Sequence, residues 1–312
     1  MKLVTYVAET PFGPVDRLGA LDGDRVVDLS AAYEAEQLAS RGHAAAVLAP
    51  HVVPPTLIGL LQLEDIGMAA ARVALDHARS VGGFSSPVTS VRLRAPLPRP
   101  TSLRDFMLVE EHIRGTGLQV PDVWHEMPIY WKGNADAVFG PEDEIRWPAY
   151  TEKLDYELEM SIVIGKQARG LSVEDAPAVI AGYTIFNDWS ARDIQMREMA
   201  LQLGPGLGKD FATSMGPCLV TPDEIDPFSV AMEARVNGEI WSSGTLGAMK
   251  FSFAEMVAHV SQEQTLMPGD VLGSGTIGRG CGLELDRWIN PGDIVELEVE
   301  GIGVLRNRVV RP

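Results

Sequence analysis

Beyond residue 100 the chain is written as short apolar runs closed by turn signals, and this punctuation constrains the fold more than any other feature. The runs are ELEMSIVIG, VIAGYTIF, VAMEARV, EIWSSG, DVLGSGT and DIVELEVEGIG, of strand rather than helix length. Asn237-Gly238 marks a two-residue hairpin, and Pro-Gly-Asp corners stand at residues 268 to 270 and 291 to 293. Helical patterns are fewer, chiefly one from about Ala191 to Leu203 and one around FSFAEMVAHVS. The order predicts a strand-rich α+β body and not a regular βαβ alternation.

Ahead of this body lies a smaller module. KLVTYVA and RLGALDGDRVVDL are β-like, the second turning at Asp22-Gly23. Ser30 is the expected cap of a helix AAYEAEQLASR, and a second helix, IGMAAARVALDHARS, ends before Gly82-Gly83. The prolines of LRAPLPRP, residues 93 to 100, forbid a continuous helix, which sets the expected domain boundary at 97/98. The organisation expected is therefore 1–97 and 98–312.

With 312 residues and 46% hydrophobic content the chain can bury a substantial core. A formal net charge of -17 repels phosphate backbones and anionic membrane surfaces, so neither nucleic acid nor membrane is an expected partner. Cys218 and Cys281 are too few for a disulfide framework, and no apolar stretch approaches a membrane span. A cytoplasmic setting is the expectation.

Within the strand pattern, LDYELEM at residues 154 to 160 alternates acids with apolar residues. Asp155, Glu157 and Glu159 share one face of such a strand and Leu154, Tyr156, Leu158 and Met160 the other. Same-face carboxylates stand about 7 Å apart at the backbone, so two can converge on one ion. The same alternation also describes an edge strand with a solvated acidic face.

NDWSARDIQ, residues 187 to 195, follows a strand-like run, and Ser190 with Asp193 has the S-x-x-D spacing of a helix start. Asp188 then stands just ahead of a helix N-terminus, either ionised by the dipole or simply closing a turn. Arg192 and Gln195 share a helix face. GPGLGKD, residues 204 to 210, is a glycine-rich bend delivering Lys209; with Asp210 after the lysine it is no phosphate-binding loop, and no nucleotide cofactor is expected.

Taken in order, LDYELEM, NDWSARDIQ and LGPGLGK make the chain similar to the fumarylacetoacetate hydrolase family. The resemblance covers roughly residues 100 to 312. It implies a mixed β-roll or β-sandwich catalytic domain with a small N-terminal β-rich domain, and a divalent ion held by Glu157, Glu159 and Asp188. Mg²⁺ is the expected ion, with Ca²⁺ and Mn²⁺ compatible with the same oxygen ligands. In DFMLVEEH the resemblance implies that Asp105 is a further ligand and that His112 activates water. In GSGTIGRGCGLELD it implies that Thr276 meets the substrate and that Glu284 orients His112. Asp155 is expected to be a supporting or surface group whose mutation is mild.

Two branches of the family are mixed. Met107 stands where the fumarylacetoacetase branch has Tyr, and no basic residue lies near Pro121, whereas Lys132 in YWKGN resembles the acylpyruvase-like lysine over the site. Trp124, Met127, Ile129 and Trp131 form either a cover over the site or ordinary core and surface. The activity implied is hydrolysis of the carbon–carbon bond of a 1,3-diketone or 2,4-dioxo acid, with Arg192, Gln195 and Lys209 donating to the oxyanion. The alternative is an isomerase, decarboxylase or hydratase acting through the same metal-held enolate. A homodimer is also implied by the resemblance.

Overall fold

In the computed structural model, which describes residues 1–311, one twelve-stranded sheet runs through most of the chain. The N-terminal strands Lys2–Thr10, Gly13–Asp22 and Arg25–Asp28 pair antiparallel, the last two around Asp22-Gly23 as expected. The sheet continues from Lys2–Thr10 into Thr213–Val220, then Ile180–Asp188, Glu159–Ile164, Asp270–Gly273, Ser102–Phe106 and Tyr130–Gly133. A second, five-stranded sheet is built from Glu239–Gly244, Met232–Val236, Ile294–Val299, Gly303–Val310 and Glu144–Arg146. The architecture is thus strand-rich α+β. Asn237-Gly238 closes the hairpin of Met232–Val236 with Glu239–Gly244, both residues adopting the positive φ that such a turn requires.

The N-terminal helices pack on one face of the large sheet, and Phe253–Ser261 packs into the other core. Leu29–Arg41 is capped by Asp28, whose carboxylate accepts from Ala31 N, and not by Ser30, which lies inside the first turn. Asp28 wins because it holds the extended backbone of a strand end, the geometry an N-cap needs. Glu64–Val81 ends at Gly82 in the left-handed conformation. Among the described residues no helix is long and apolar enough to cross a membrane.

Strand Glu159–Ile164 is buried along its whole length because both of its faces are covered. Met160, Ile162 and Ile164 enter one core with Leu154, Tyr156, Leu158 and Trp189. Val163 enters the other, with Phe186, Leu103 and the helix residues Ala71 and Ala74. The expected continuous strand over 154 to 160 is interrupted. Leu154–Asp155 pairs with Ser190–Ala191, Glu157 bridges Cys281 alone, and the ladder to Ile180–Asp188 starts at Glu159. No part of this acidic segment forms a solvated edge face, since Asp155, Glu157 and Glu159 are all buried.

Trp189 locks the junction where the two strands meet. It is fully buried and its Nε1 donates to Ser214 Oγ at 2.9 Å. Trp189→Ala is expected to lower unfolding stability by about 3–5 kcal/mol, read as a shift in the denaturant midpoint.

Candidate metal centre and acid–base pair

Three strands of the large sheet and one irregular segment bring four carboxylates into one buried space. Asp105 leaves Ser102–Phe106, which pairs parallel with Asp270–Gly273 so that Asp105 faces Gly273. A Cβ at Gly273 would lie 2.3 Å from Asp105 Oδ1, so only glycine leaves room for this carboxylate. Glu159 comes from the next strand and Asp188 from the end of the one beyond. Glu157 reaches in from the irregular turn before Glu159, its backbone N–H donating to Asn187 Oδ1 at 2.9 Å. Asp105, Glu157 and Glu159 each offer an oxygen within 4.8 Å of one another.

Two buried cations answer these acids. Lys209 Nζ lies 2.6 Å from Glu157 Oε2 and 2.5 Å from Asp188 Oδ2, delivered by the glycine-rich bend. That bend is shaped by Glu198, whose carboxylate accepts from the backbone N–H groups of Gly206, Leu207 and Gly208. Arg192 Nη2 lies 2.8 Å from Glu157 Oε1, while its Nε donates to Asp155 and its Nη1 to Gln195 Oε1. Nη2 is within ion-pair range of Glu157 but makes no hydrogen bond, so its N–H groups are not committed to an acceptor. Arg192 thus sits between Asp155, Glu157 and Gln195 at the edge of the acid cluster.

The charge balance leaves a deficit that burial magnifies. Burial opposes ionisation of Glu157, but Lys209 and Arg192 overcome it and hold its carboxyl down at about 2. For Glu159, burial and the charges of Asp105 and Glu157 push the carboxyl well above the usual range. Asp188 is raised in the same way, by burial and by Asp105 and Glu157, against the opposing pull of Lys209. Of the two alternatives for Asp188, the helix terminus is not beside it. The helix, Arg192–Met199, starts after the intervening strand Ser190–Ala191, and Ser190 Oγ donates to Asp188 O instead of capping it. Asp105 Oδ1, Glu159 Oε2 and Asp188 Oδ1 are buried without any hydrogen-bond partner. An unpaired buried acceptor costs about 1–3 kcal/mol, and an all-oxygen set with three such atoms fits a hard divalent cation.

Beside the acids lies a second constellation. His112, on the helix Glu110–Gly115, has Nδ1 2.8 Å from Glu284 Oε2, and both side chains are buried. Glu284 is fixed by the backbone N–H groups of Arg279 and Gly280, at 2.9 and 3.1 Å. With Nδ1 engaged by a carboxylate, Nε2 is the position that can exchange a proton. Cys281 joins this pair, its Sγ–H donating to Glu284 Oε2 at 3.4 Å, and burial followed by the nearby Asp155 charge pushes its thiol well up. It is an inert hydrogen-bonding group here.

Two expected substrate contacts are placed differently. Thr276 is buried and its hydroxyl donates to Glu159 Oε1 at 3.0 Å, so it orients a carboxylate. Lys132 is exposed on Tyr130–Gly133, where side chains alternate, and its neighbour Trp131 is the one that turns toward the site. Trp131 Nε1 lies 3.4 Å from Asp105 Oδ2 and its ring is 6.0 Å from Lys209 Nζ. Of the four residues considered as a cover, Trp124 is core, with Nε1 on Met107 O, and Met127 and Ile129 are exposed. Trp131 was among the residues considered as a cover, whereas Cys281, inside the motif that carries Glu284, was not singled out for the site.

The family model described as "fumarylacetoacetate (FAA) hydrolase C-terminal" matches residues 104–310. The chain belongs to this family. Oxaloacetate tautomerase FAHD2A, mitochondrial, of Bos taurus is 33% identical, across 99% of this chain and 92% of its own length. Oxaloacetate tautomerase YisK of Bacillus subtilis is 32% identical, across 82% and 87%. The solved fumarylacetoacetate hydrolase of Exiguobacterium antarcticum superposes with a TM-score of 0.74 at 27% identity, covering 100% of both chains. The similarity to the Bos taurus relative also runs over the N-terminal residues, which the family model does not match.

The acid cluster predicts how metal and pH act together. Glu159 and Asp188 have folded-state values above their unfolded ones, so their contribution to stability is full below the unfolded range and lost as pH rises through the raised values. Glu157 has the opposite sign and loses its contribution only on acidification toward about 2. The metal-free chain is therefore expected to lose thermal stability as pH rises above the ordinary carboxylate range, and Mg²⁺ to raise the Tm more at the higher pH. Differential scanning calorimetry with EDTA and with Mg²⁺ measures both slopes.

Proposed function

We propose that the chain is a divalent-metal-dependent tautomerase that interconverts the keto and enol forms of oxaloacetate or a closely related 2-oxo diacid. The observation that carries the reading is a single histidine acid–base group, His112 held by Glu284, set beside an oxygen-ligand cluster suited to one hard cation. Moving a proton between carbon and oxygen of a 1,3-dicarbonyl needs no more than this. The names of the two curated relatives, both similar over more than four-fifths of this chain, support tautomerisation. They give no support to carbon–carbon hydrolysis, which the sequence motifs had favoured.

In this reading Asp105, Glu157, Glu159 and Asp188 hold the cation, and Thr276 fixes the orientation of Glu159. When bound, the cation acts as a Lewis acid on the substrate's oxygens and lowers the cost of enolate charge. His112 Nε2 takes a proton from the substrate's methylene carbon and delivers it to the enolate oxygen to give the enol, and in the reverse direction takes it from that oxygen and returns it to the carbon. Glu284 keeps the imidazole in one tautomer and one orientation through Nδ1. Lys209 has three N–H donors, two of which engage Glu157 and Asp188, and the third meets developing negative charge on the substrate. Gln195, through its amide –NH₂, is the second donor available to the substrate.

The expected result with enol oxaloacetate and Mg²⁺ or Mn²⁺ is a decay of enol absorbance well above the uncatalysed rate, yielding the keto isomer alone by NMR. Release of two fragments from an acylpyruvate, without catalysed tautomerisation, would instead make the chain a hydrolase. Lys209→Ala is expected to lower turnover by about 100-fold to 1000-fold. Glu159→Ala is expected to lose both bound metal, read by elemental analysis, and activity.

A further inference from the structure

We infer that Asp155 is a positioning residue that couples the cation-binding acids to the His112–Glu284 pair, an inference that rests on the tautomerase reading for its activity arm only. Asp155 lies two residues before Glu157 and is 0% exposed. Its Oδ1 accepts from Gly282 N at 2.8 Å and Tyr156 N at 2.9 Å. Its Oδ2 accepts from Arg192 Nε at 2.8 Å and Leu283 N at 3.0 Å. Four N–H donors from three separate segments thus converge on one carboxylate and use all of its acceptor capacity.

Each link leads to the chemistry by one further step. Arg192, held through Nε, places Nη2 at 2.8 Å from Glu157 Oε1, one of the acids of the cluster. Gly282 and Leu283 open the turn Gly282–Leu285, which presents Glu284 to His112. The backbone on both sides is fixed as well, since Asp155 pairs with Ser190 and Arg192 N donates to Lys153 O at 2.8 Å. The close approach to the turn demands glycine at 282, where a Cβ would lie 2.6 Å from Asp155 Oδ1 and 2.2 Å from Arg287 O. A carboxylate that merely filled space would not need one hydrogen bond to each of these partners at once.

Asp155→Asn keeps the shape but sets an –NH₂ group against N–H donors, either Arg192 Nε with Leu283 N or Gly282 N with Tyr156 N. Supporting partners of metal sites typically contribute about 10-fold to 100-fold in affinity or rate. The expected result is an Mn²⁺ affinity weakened by about 10-fold to 100-fold, measured by isothermal titration calorimetry on the metal-free chain. At saturating Mn²⁺, kcat is expected to fall by a similar factor with KM for enol oxaloacetate changed less than about threefold. In a Glu284→Gln background the same substitution should cost less than about threefold in kcat, because the turn it holds no longer carries the working carboxylate.

Wild-type Mn²⁺ affinity and kcat in Asp155→Asn would overturn the inference, as would a full additive loss in the Glu284→Gln background. If Asp155→Asn does not fold, Asp155→Glu, which keeps the charge on a longer arm, takes its place with the same expected losses. Failure of both variants to fold would make Asp155 a structural residue only and equally overturn the coupling role. A wild-type chain that binds Mn²⁺ but leaves enol oxaloacetate unchanged would sink the tautomerase reading, while the Mn²⁺ titration would still decide the case of Asp155.

Discussion

The concentration of negative charge in a place without water governs this structure. Asp105, Glu157, Glu159 and Asp188 are all buried, with only Lys209 and Arg192 as buried cations against them. Arg192 is shared with a further acid, Asp155. Like charges in low dielectric repel strongly, so such a cluster persists only with a cation or with bound protons. The raised values of Glu159 and Asp188 and the unpartnered oxygens of three of these acids are two expressions of the same deficit. A bound cation would relieve that deficit.

The fold supplies what the cluster requires. Adjacent strands are about 4.8 Å apart, so side chains from neighbouring strands can meet at one point while each backbone stays in its ladder. Here one acid arrives from each of three strands and a fourth from the irregular segment that interrupts the ladder at Glu157. The interruption has a purpose that a regular strand could not serve. It frees the 154 to 158 segment to meet the turns bearing Cys281 and Ser190, which brings the acid–base pair and the lysine bend to the same side.

Much of the site was legible residue by residue. The E-x-E pair, Asp188 at a strand end, His112 with Glu284, and Lys209 on a glycine-rich bend are all brought to one region by the fold. The hairpin at Asn237-Gly238 was equally visible, because turn chemistry is local. Less visible was anything that depended on which partner a side chain meets. The partners of Asp155, the contacts of Arg192 and the exposure of Lys132 were not readable, because sequence spacing gives a face but not what covers it.

By itself the sequence determined the class of structure and the chemical inventory: strand-length apolar runs, the turns between them, and hard oxygen donors in a pattern shared by one family. Those properties are short-range, set by side-chain alternation, backbone preference and ligand type. Only the tertiary structure decided the electrostatics, because a carboxylate's state depends on burial and on charges brought in from distant segments. Asp155 shows the difference most clearly: the same residue reads as either a supporting or a surface acid in the chain and is the junction of four hydrogen bonds in the fold.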